Sequence, residues 1–245
     1  MIAILQWSTL AVCVIVAAAR VPSAVRGENR SLFYIFALMA LAILLSIEAP
    51  YLAVDQAMGG VNAANLLLRF VIFGAIYFVG IRITKGFNAA DGYRLITGRV
   101  GMTVLGLISL VVVAVFLMMD TAGSSAGLSA LAANDGPNDV LVEYYAAAGR
   151  AYPAYVALVL LPAMCRACRS TLPLLVRLAA LMLAIGSVDI GLSLLFPLIP
   201  PELGSIKFVI NYTAVLCFIV GLALIWVARV LHGGKVAPRR TSTEK

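Results

Sequence analysis

The chain has 245 residues, of which 63% are hydrophobic and 12% charged, with a mean hydropathy of +1.04. Water-soluble domains are about 45–50% apolar and about 25% charged, so this chain has too few polar residues to coat a globule, which excludes a cytosolic enzyme, a secreted disulfide scaffold and a nucleic-acid-binding domain. The net charge of +7 does not indicate nucleic acid, because the basic residues fall in short segments between apolar runs, where membrane proteins carry them for topology.

Seven apolar runs occur, at roughly residues 2–19, 32–54, 63–83, 100–119, 141–163, 174–198 and 206–231. Runs of about 20 apolar residues match the bilayer core. Lipid leaves open backbone groups unsatisfied, so each run is expected to cross as a helix. The expected fold is therefore all-α: a polytopic membrane protein of seven transmembrane helices over residues 1–231, with a basic cytoplasmic tail at 232–245.

The first run ends in Ala17-Ala18-Ala19 but has no Lys or Arg before it; Arg20, Arg26 and Arg30 follow it instead. A signal peptide has the reverse order, so an uncleaved first helix is expected. Fifteen of the 18 basic residues fall on one set of alternate loops and the C-terminal tail. Positive charge marks the cytoplasmic side, which places the N-terminus outside and the C-terminus inside a bacterial plasma membrane. Trp7, Tyr51 and Trp226 lie near the expected interfaces, where an aromatic belt sits.

The second and third runs contain charged residues. A charge at mid-bilayer costs about 2.5–3.5 kcal/mol even on lenient scales, so it faces a partner or a cavity. Glu48 and Arg69 are equally far from the turn near Met58-Gly59, and Asp55 is similarly matched with Asn62. Helical spacing puts Glu48 and Asp55 on one face, and Asn62, Asn65 and Arg69 on another. A buried Glu48–Arg69 pair with amide neighbours is expected, either to set the register of the hairpin or to bind a ligand.

After the fourth run, the loop at 120–139 is rich in Gly, Ser, Asn and Pro, with Asn138 or Asp139 as the expected cap of the fifth helix. On that helix Glu143 and Arg150 share a face, followed by Pro153 and Pro162. Its inner end carries Cys165 and Cys168 as a CxxC, read as small residues rather than a redox pair. Asp189 lies within the sixth run, and Lys207 and Asn211 share a face early in the seventh. The hairpin formed by runs six and seven thus echoes that of runs two and three, with Pro197 in the place of Pro50. The echo reads either as a parallel 3 + 1 + 3 layout of a transporter type or as a chance likeness of two amphipathic hairpins.

His232 is the single histidine, so neither bis-His haem ligation nor an HExxH zinc site is available. No Walker A loop occurs, and Lys207 lies too near the outer end to hold retinal. No catalytic residue, metal or cofactor is assigned.

Pro50-Tyr51, then Gly59-Gly60-Val61-Asn62 and the aliphatic run to Tyr77-Phe78, resemble a family of actinobacterial seven-helix membrane proteins labelled as transporters. The resemblance extends over helices two to five and implies transport, without a substrate or site residues. Larger members carry a cytoplasmic domain after the seventh helix, for which no counterpart is expected here. The expected function is transport of a small polar or zwitterionic solute through an outward-facing site lined by Glu48, Asp55, Asn65, Arg69, Asp189, Lys207 and Asn211. The alternative is a membrane sensor or anchor acting through a cytoplasmic partner. The expected partners are the lipid bilayer and the solute, with a second copy of the chain or that cytoplasmic partner as further candidates, and no nucleic acid.

Overall fold

A computed structural model describes residues 2–27, 30–121, 137–199 and 204–232, and among them it is helical with no strand. The helices are α1 (Ile2–Val25), α2 (Arg30–Leu44), α3 (Glu48–Ala57), α4 (Ala63–Gly86), α5 (Ala90–Thr97), α6 (Arg99–Met118), α7 (Pro137–Cys168), α8 (Leu174–Leu192) and α9 (Gly204–His232), with a 3₁₀ turn at Ser193–Leu198 after α8. Five are long and apolar enough to cross a membrane, or six if α2 and α3 form one bent span. Within α9, Ser205–Phe218 is a shorter apolar stretch. Helices of this length and composition fit a membrane protein. Their outward faces are apolar too: Val12 and Ile15 on α1 and Leu110 and Leu117 on α6 are all at least half exposed. Lipid tails are as apolar as these side chains, so nothing drives such faces inward.

The second apolar run is broken, not straight. α2 and α3 meet at 91° across Leu45-Ser46-Ile47, where Ile47 is extended (φ −89°, ψ 130°). Pro50 is the cause. It has no N–H to give the carbonyl four residues back, so the Ser46 carbonyl loses its helical partner and instead accepts a long 3.4 Å bond from Gln6 Nε2 of α1. In the first turn of α3 the missing N–H costs nothing, because donors there have no intrahelical acceptor.

Two other boundaries differ from expectation. The segment after α4, read as a plain loop, holds the amphipathic helix α5, with Ile96 fully buried and Tyr93 and Leu95 exposed. α7 begins at Pro137, ahead of the expected cap at Asn138 or Asp139. Proline is favoured at a first helical position. The loop residues 122–136, the turn prolines Pro200 and Pro201 with Glu202, and the tail at 233–245 lie outside the described residues.

Contacts across the helix seams give each helix a direction. Gln6 near Ser46 makes α1 and α2 antiparallel. Gly74 against Leu38, with Phe78 stacked on Tyr34 at 4.9 Å, does the same for α2 and α4. Phe116, near the end of α6, meets Tyr145, early in α7, while the Tyr155 hydroxyl further along α7 bonds the Leu95 carbonyl of α5, just ahead of α6, so α6 and α7 run antiparallel. α7 and α8 are antiparallel through Met164–Ser187 and Leu158–Gly191, and α8 and α9 through Gly186–Phe218 and Leu183–Gly221. α4 and α7 run parallel: Arg69 lies on Gly149, Phe73 by Tyr152 and Gly80 on Val156.

α7 is the hub. It packs against α4, α6, α8 and the 3₁₀ turn, while α1 and α2 extend the row beyond α4 and α9 lies beyond α8. The main core follows α7 through Tyr145, Tyr152, Val156, Leu160 and Met164. A smaller cluster of Leu10, Cys13, Ala40 and Ile47 joins α1 to α2. Exposed basic residues gather at one end of the row: Arg20 and Arg26 at the end of α1, Lys85 at the end of α4 with Arg94 on α5, and Arg166, Arg169 and Arg177 around the turn from α7 to α8. One of them ties off a helix end, with Arg177 Nε donating to the Cys168 carbonyl at 3.0 Å.

Candidate functional site

At the opposite end, the chain reverses between α3 and α4 through three positive-φ residues: Gly59 (φ 104°), Gly60 (φ 68°) and Asn62 (φ 57°). Asparagine tolerates this left-handed geometry better than most residues. The reversal brings the Asp55 carboxylate onto the start of α4. Its Oδ2 accepts the Asn62 N–H at 3.1 Å and its Oδ1 accepts the Ala64 N–H at 3.0 Å. The donors at a helix start have no partner within the helix and carry positive partial charge, so a buried carboxylate is stabilised there. Asp55 and Asn62 are both fully buried. Tyr51 Oη donates to Asn62 Oδ1 at 3.0 Å, and Asn62 Nδ2 donates to the Thr121 carbonyl at 3.2 Å. Tyr51 is thus a buried strut of this turn, 1% exposed, and not part of an aromatic belt.

Below this cap the polar face of α4 continues inward. Asn65 is buried with its Oδ1 lacking a hydrogen-bond partner. One turn further, half-buried Arg69 crosses to α7, where Gly149 leaves its backbone bare. A Cβ on Gly149 would come within 2.8 Å of Arg69 Nε and Nη1. The Arg69 guanidinium carbon lies 5.3 Å from the centre of the Tyr145 ring, within cation–π range. Arg69 interacts with the Tyr145 hydroxyl, and beyond that Arg69 Nε and Tyr145 Oη are buried with no hydrogen-bond partner.

Arg150, next to Gly149, turns toward α8. Its guanidinium carbon lies 4.9 Å from the Phe196 ring centre, and its Nε is likewise buried without a partner. The charges of Arg69 and Glu143 both act on Arg150. Glu143 Oε1 in turn takes Lys207 Nζ at 2.7 Å, part-exposed, joining α7 to α9. Arg69 from α4 thus meets α7 at Gly149 and Tyr145, and Lys207 from α9 meets it at Glu143.

Of the expected set, the structure thus places Asp55 on the α3–α4 turn, Asn65 and Arg69 on the inward side of α4, and Lys207 on Glu143 of α7. The rest lie elsewhere. Glu48 is exposed at the start of α3 and makes no ion pair with Arg69. Matching depths by distance from the turn assumes a straight hairpin, and the 91° break removes that premise. Asn211 is exposed on α9. Asp189 is half-buried on α8, where its charge acts on Cys217 of α9, and its Oδ2 is buried without a partner. The α7 residues at the centre were only partly legible. Glu143 and Arg150 stood out by their spacing, but Tyr145, Gly149 and Tyr152, at steps of four and three, carry a second helical face that marks the α4 contact. Cys165 and Cys168 are free, at the other end of α7.

No family model, curated protein or solved structure matches the chain.

Proposed function

We propose that the chain is a seven-span protein of a bacterial plasma membrane, with its N-terminus outside and its C-terminus in the cytoplasm, that carries a small polar solute through a site on the outer half of α7. The resemblance to the actinobacterial transporter family points the same way, and the reading assigns no catalytic role. Seven helical segments of alternating direction support the threading, counting α2 with α3 as one and α5 as interfacial. Exposed cations at one end of the row support the orientation. A reporter fused to the C-terminus tests both: alkaline phosphatase is expected to be inactive there and a fluorescent protein bright, and the reverse pattern overturns the orientation.

The observation that carries the site is Arg69 and Arg150, two cations on neighbouring stretches of the bundle whose Nε donors have no partner. Ionisable groups inside a membrane bundle are costly and mark substrate or ion paths. The test is uptake of labelled amino acids and small carboxylates into proteoliposomes. Wild-type protein is expected to exceed empty liposomes for at least one solute, with about a tenfold lower rate in Arg150→Gln, the factor that about 1.4 kcal/mol corresponds to. Uptake by the wild type that Arg150→Gln leaves unchanged removes Arg150 from the path, and no uptake of any solute removes transport.

A sensor or anchor is the second reading, and α5 is what favours it. This short helix presents Tyr93, Arg94 and Leu95 at the basic end, where a cytoplasmic protein would meet them. A stoichiometric partner recovered by crosslinking in native membranes, and lost with Tyr93→Ala, would support it.

A further inference from the structure

We infer that Arg69 and Arg150, with Tyr145 between the helices, form a binding site for an oxyanion, a ligand presenting carboxylate or phosphate oxygens. This deepens the proposed site on α7 by naming its ligand class, and it rests on that cluster being a ligand site, not on transport. Three observations carry it. The first is charge. Arg69, Arg150 and Lys207 bring three cations to the outer half of α7. The carboxylates at hand are already engaged: Glu143 holds Lys207, and Asp55 holds the Asn62 and Ala64 N–H groups. Positive charge therefore remains where membrane burial penalises it.

The second is unmet donors. Arg69 Nε and Arg150 Nε are buried without an acceptor, and the Tyr145 hydroxyl, which interacts with Arg69, has no acceptor for its own proton. An unmade hydrogen bond from a charged buried donor is far costlier than a neutral exposed one, and an acceptor-only ligand is the chemistry that relieves it. Guanidinium groups present planar forks matched to carboxylate and phosphate oxygens.

The third is shape. Gly149 strips α7 of a side chain where Arg69 lies, and the Tyr145 and Phe196 rings hold the two guanidiniums on their faces. Of each guanidinium, the buried Nε is the donor left without a partner. α4 and α8 pack on different sides of α7, and among the described residues they have no substantial seam with each other.

The experiment uses the full chain purified in dodecyl maltoside, which carries no phosphate or carboxylate. Binding of sodium phosphate, sodium acetate and dioctanoyl phosphatidylglycerol is measured by calorimetry for the wild type, Arg69→Gln, Arg150→Gln, Arg69→Lys and, as a control at the far end, Arg166→Gln. At least one probe is expected to bind saturably. Its affinity should fall about tenfold or more in each glutamine variant, fall less in Arg69→Lys, and hold in Arg166→Gln. Binding of phosphate or acetate assigns a soluble oxyanion. Binding of phosphatidylglycerol alone, with the same dependence on the arginines, assigns a lipid headgroup and supports the site while removing a soluble substrate from it. The inference is overturned if no probe binds the wild type, or if binding is equal in the wild type and both glutamine variants. Gel filtration checks folding, and if Arg69→Gln aggregates, Arg150→Gln and Arg69→Lys decide the outcome. Oxyanion binding without uptake in proteoliposomes would sink transport alone, and uptake of an uncharged solute without oxyanion binding would sink this inference alone.

Discussion

Asp55→Ala is expected to destabilise the protein by about 3 kcal/mol, the loss of two hydrogen bonds to a buried charge at a helix start. The carboxylate reaches the start of α4 from seven residues upstream and takes the Asn62 and Ala64 N–H groups. Alanine would leave both donors buried, with the Tyr51–Asn62 bond above them unsupported. Asp55→Asn keeps one acceptor oxygen and should cost about half as much. Glu48→Gln, at an exposed position on the same helix, should stay within about 0.5 kcal/mol, as surface changes do. The check is the thermal unfolding midpoint of the three variants in detergent, by loss of circular dichroism. Equal midpoints for Asp55→Ala and Glu48→Gln would show that the α3–α4 turn does not depend on this cap.

Gly221→Leu is expected to part α9 from α8. The seam between these antiparallel helices is built on reciprocal glycines. A Cβ on Gly221 would come within 2.8 Å of Leu183 Cγ and 3.1 Å of the Ala179 carbonyl; one on Gly186 would come within 2.8 Å of the Phe218 ring and 3.2 Å of the Ala214 carbonyl. Ala179, Ala180, Ala184 and Ala214 continue the small-residue surface, all buried. Lipid supplies no hydrophobic drive between helices, so close backbone approach and the dispersion it gives are what hold them. A leucine at Gly221 cannot be absorbed by turning one side chain, because a carbonyl of the facing helix lies behind Leu183. Overpacking of this kind costs about 1–3 kcal/mol. Cys217 reports it: this thiol is buried on the inner face of α9, 8% exposed. In a background with Cys13, Cys165 and Cys168 replaced by serine, maleimide labelling in detergent should run about tenfold faster in Gly221→Leu than in its parent, the factor for about 1.4 kcal/mol of opening. An unchanged rate would mean that α9 is held by other contacts, Lys207–Glu143 foremost.

Glu48 and Arg69 show where a linear reading of depth stops. Their symmetry about the turn is a property of the sequence, but whether it places them together depends on whether α3 continues the line of α2 alongside α4. One proline, at the start of α3, ends that line. Pro50 was visible, and so was the rule that it ends a helical ladder. The size of the bend was not, because it depends on what α3 packs against and on Gln6 of a different helix taking the freed Ser46 carbonyl. Asn65 and Arg69 fared better, since their common face on α4 follows from helical period alone; Asn62, which precedes the helix in left-handed geometry, is buried through the turn instead. Tyr51 shows the converse. A tyrosine near an expected membrane surface reads as a belt residue, yet this one is buried because the glycine turn folds Asn62 back over it.

The sequence by itself determined that the chain is helical and apolar enough for a membrane, where most of its long helices begin and end, and which residues on each helix share a face. These are local properties: run length, helical period and the positions of proline and glycine act within a few turns of backbone. Tertiary structure alone decided which charges meet. Arg69 finds Tyr145 and Gly149 on α7 instead of Glu48, and Lys207 finds Glu143, because partners across helices are chosen by which helices lie side by side and in which direction they run. That arrangement arises from close packing along whole seams, which no single stretch of the chain encodes.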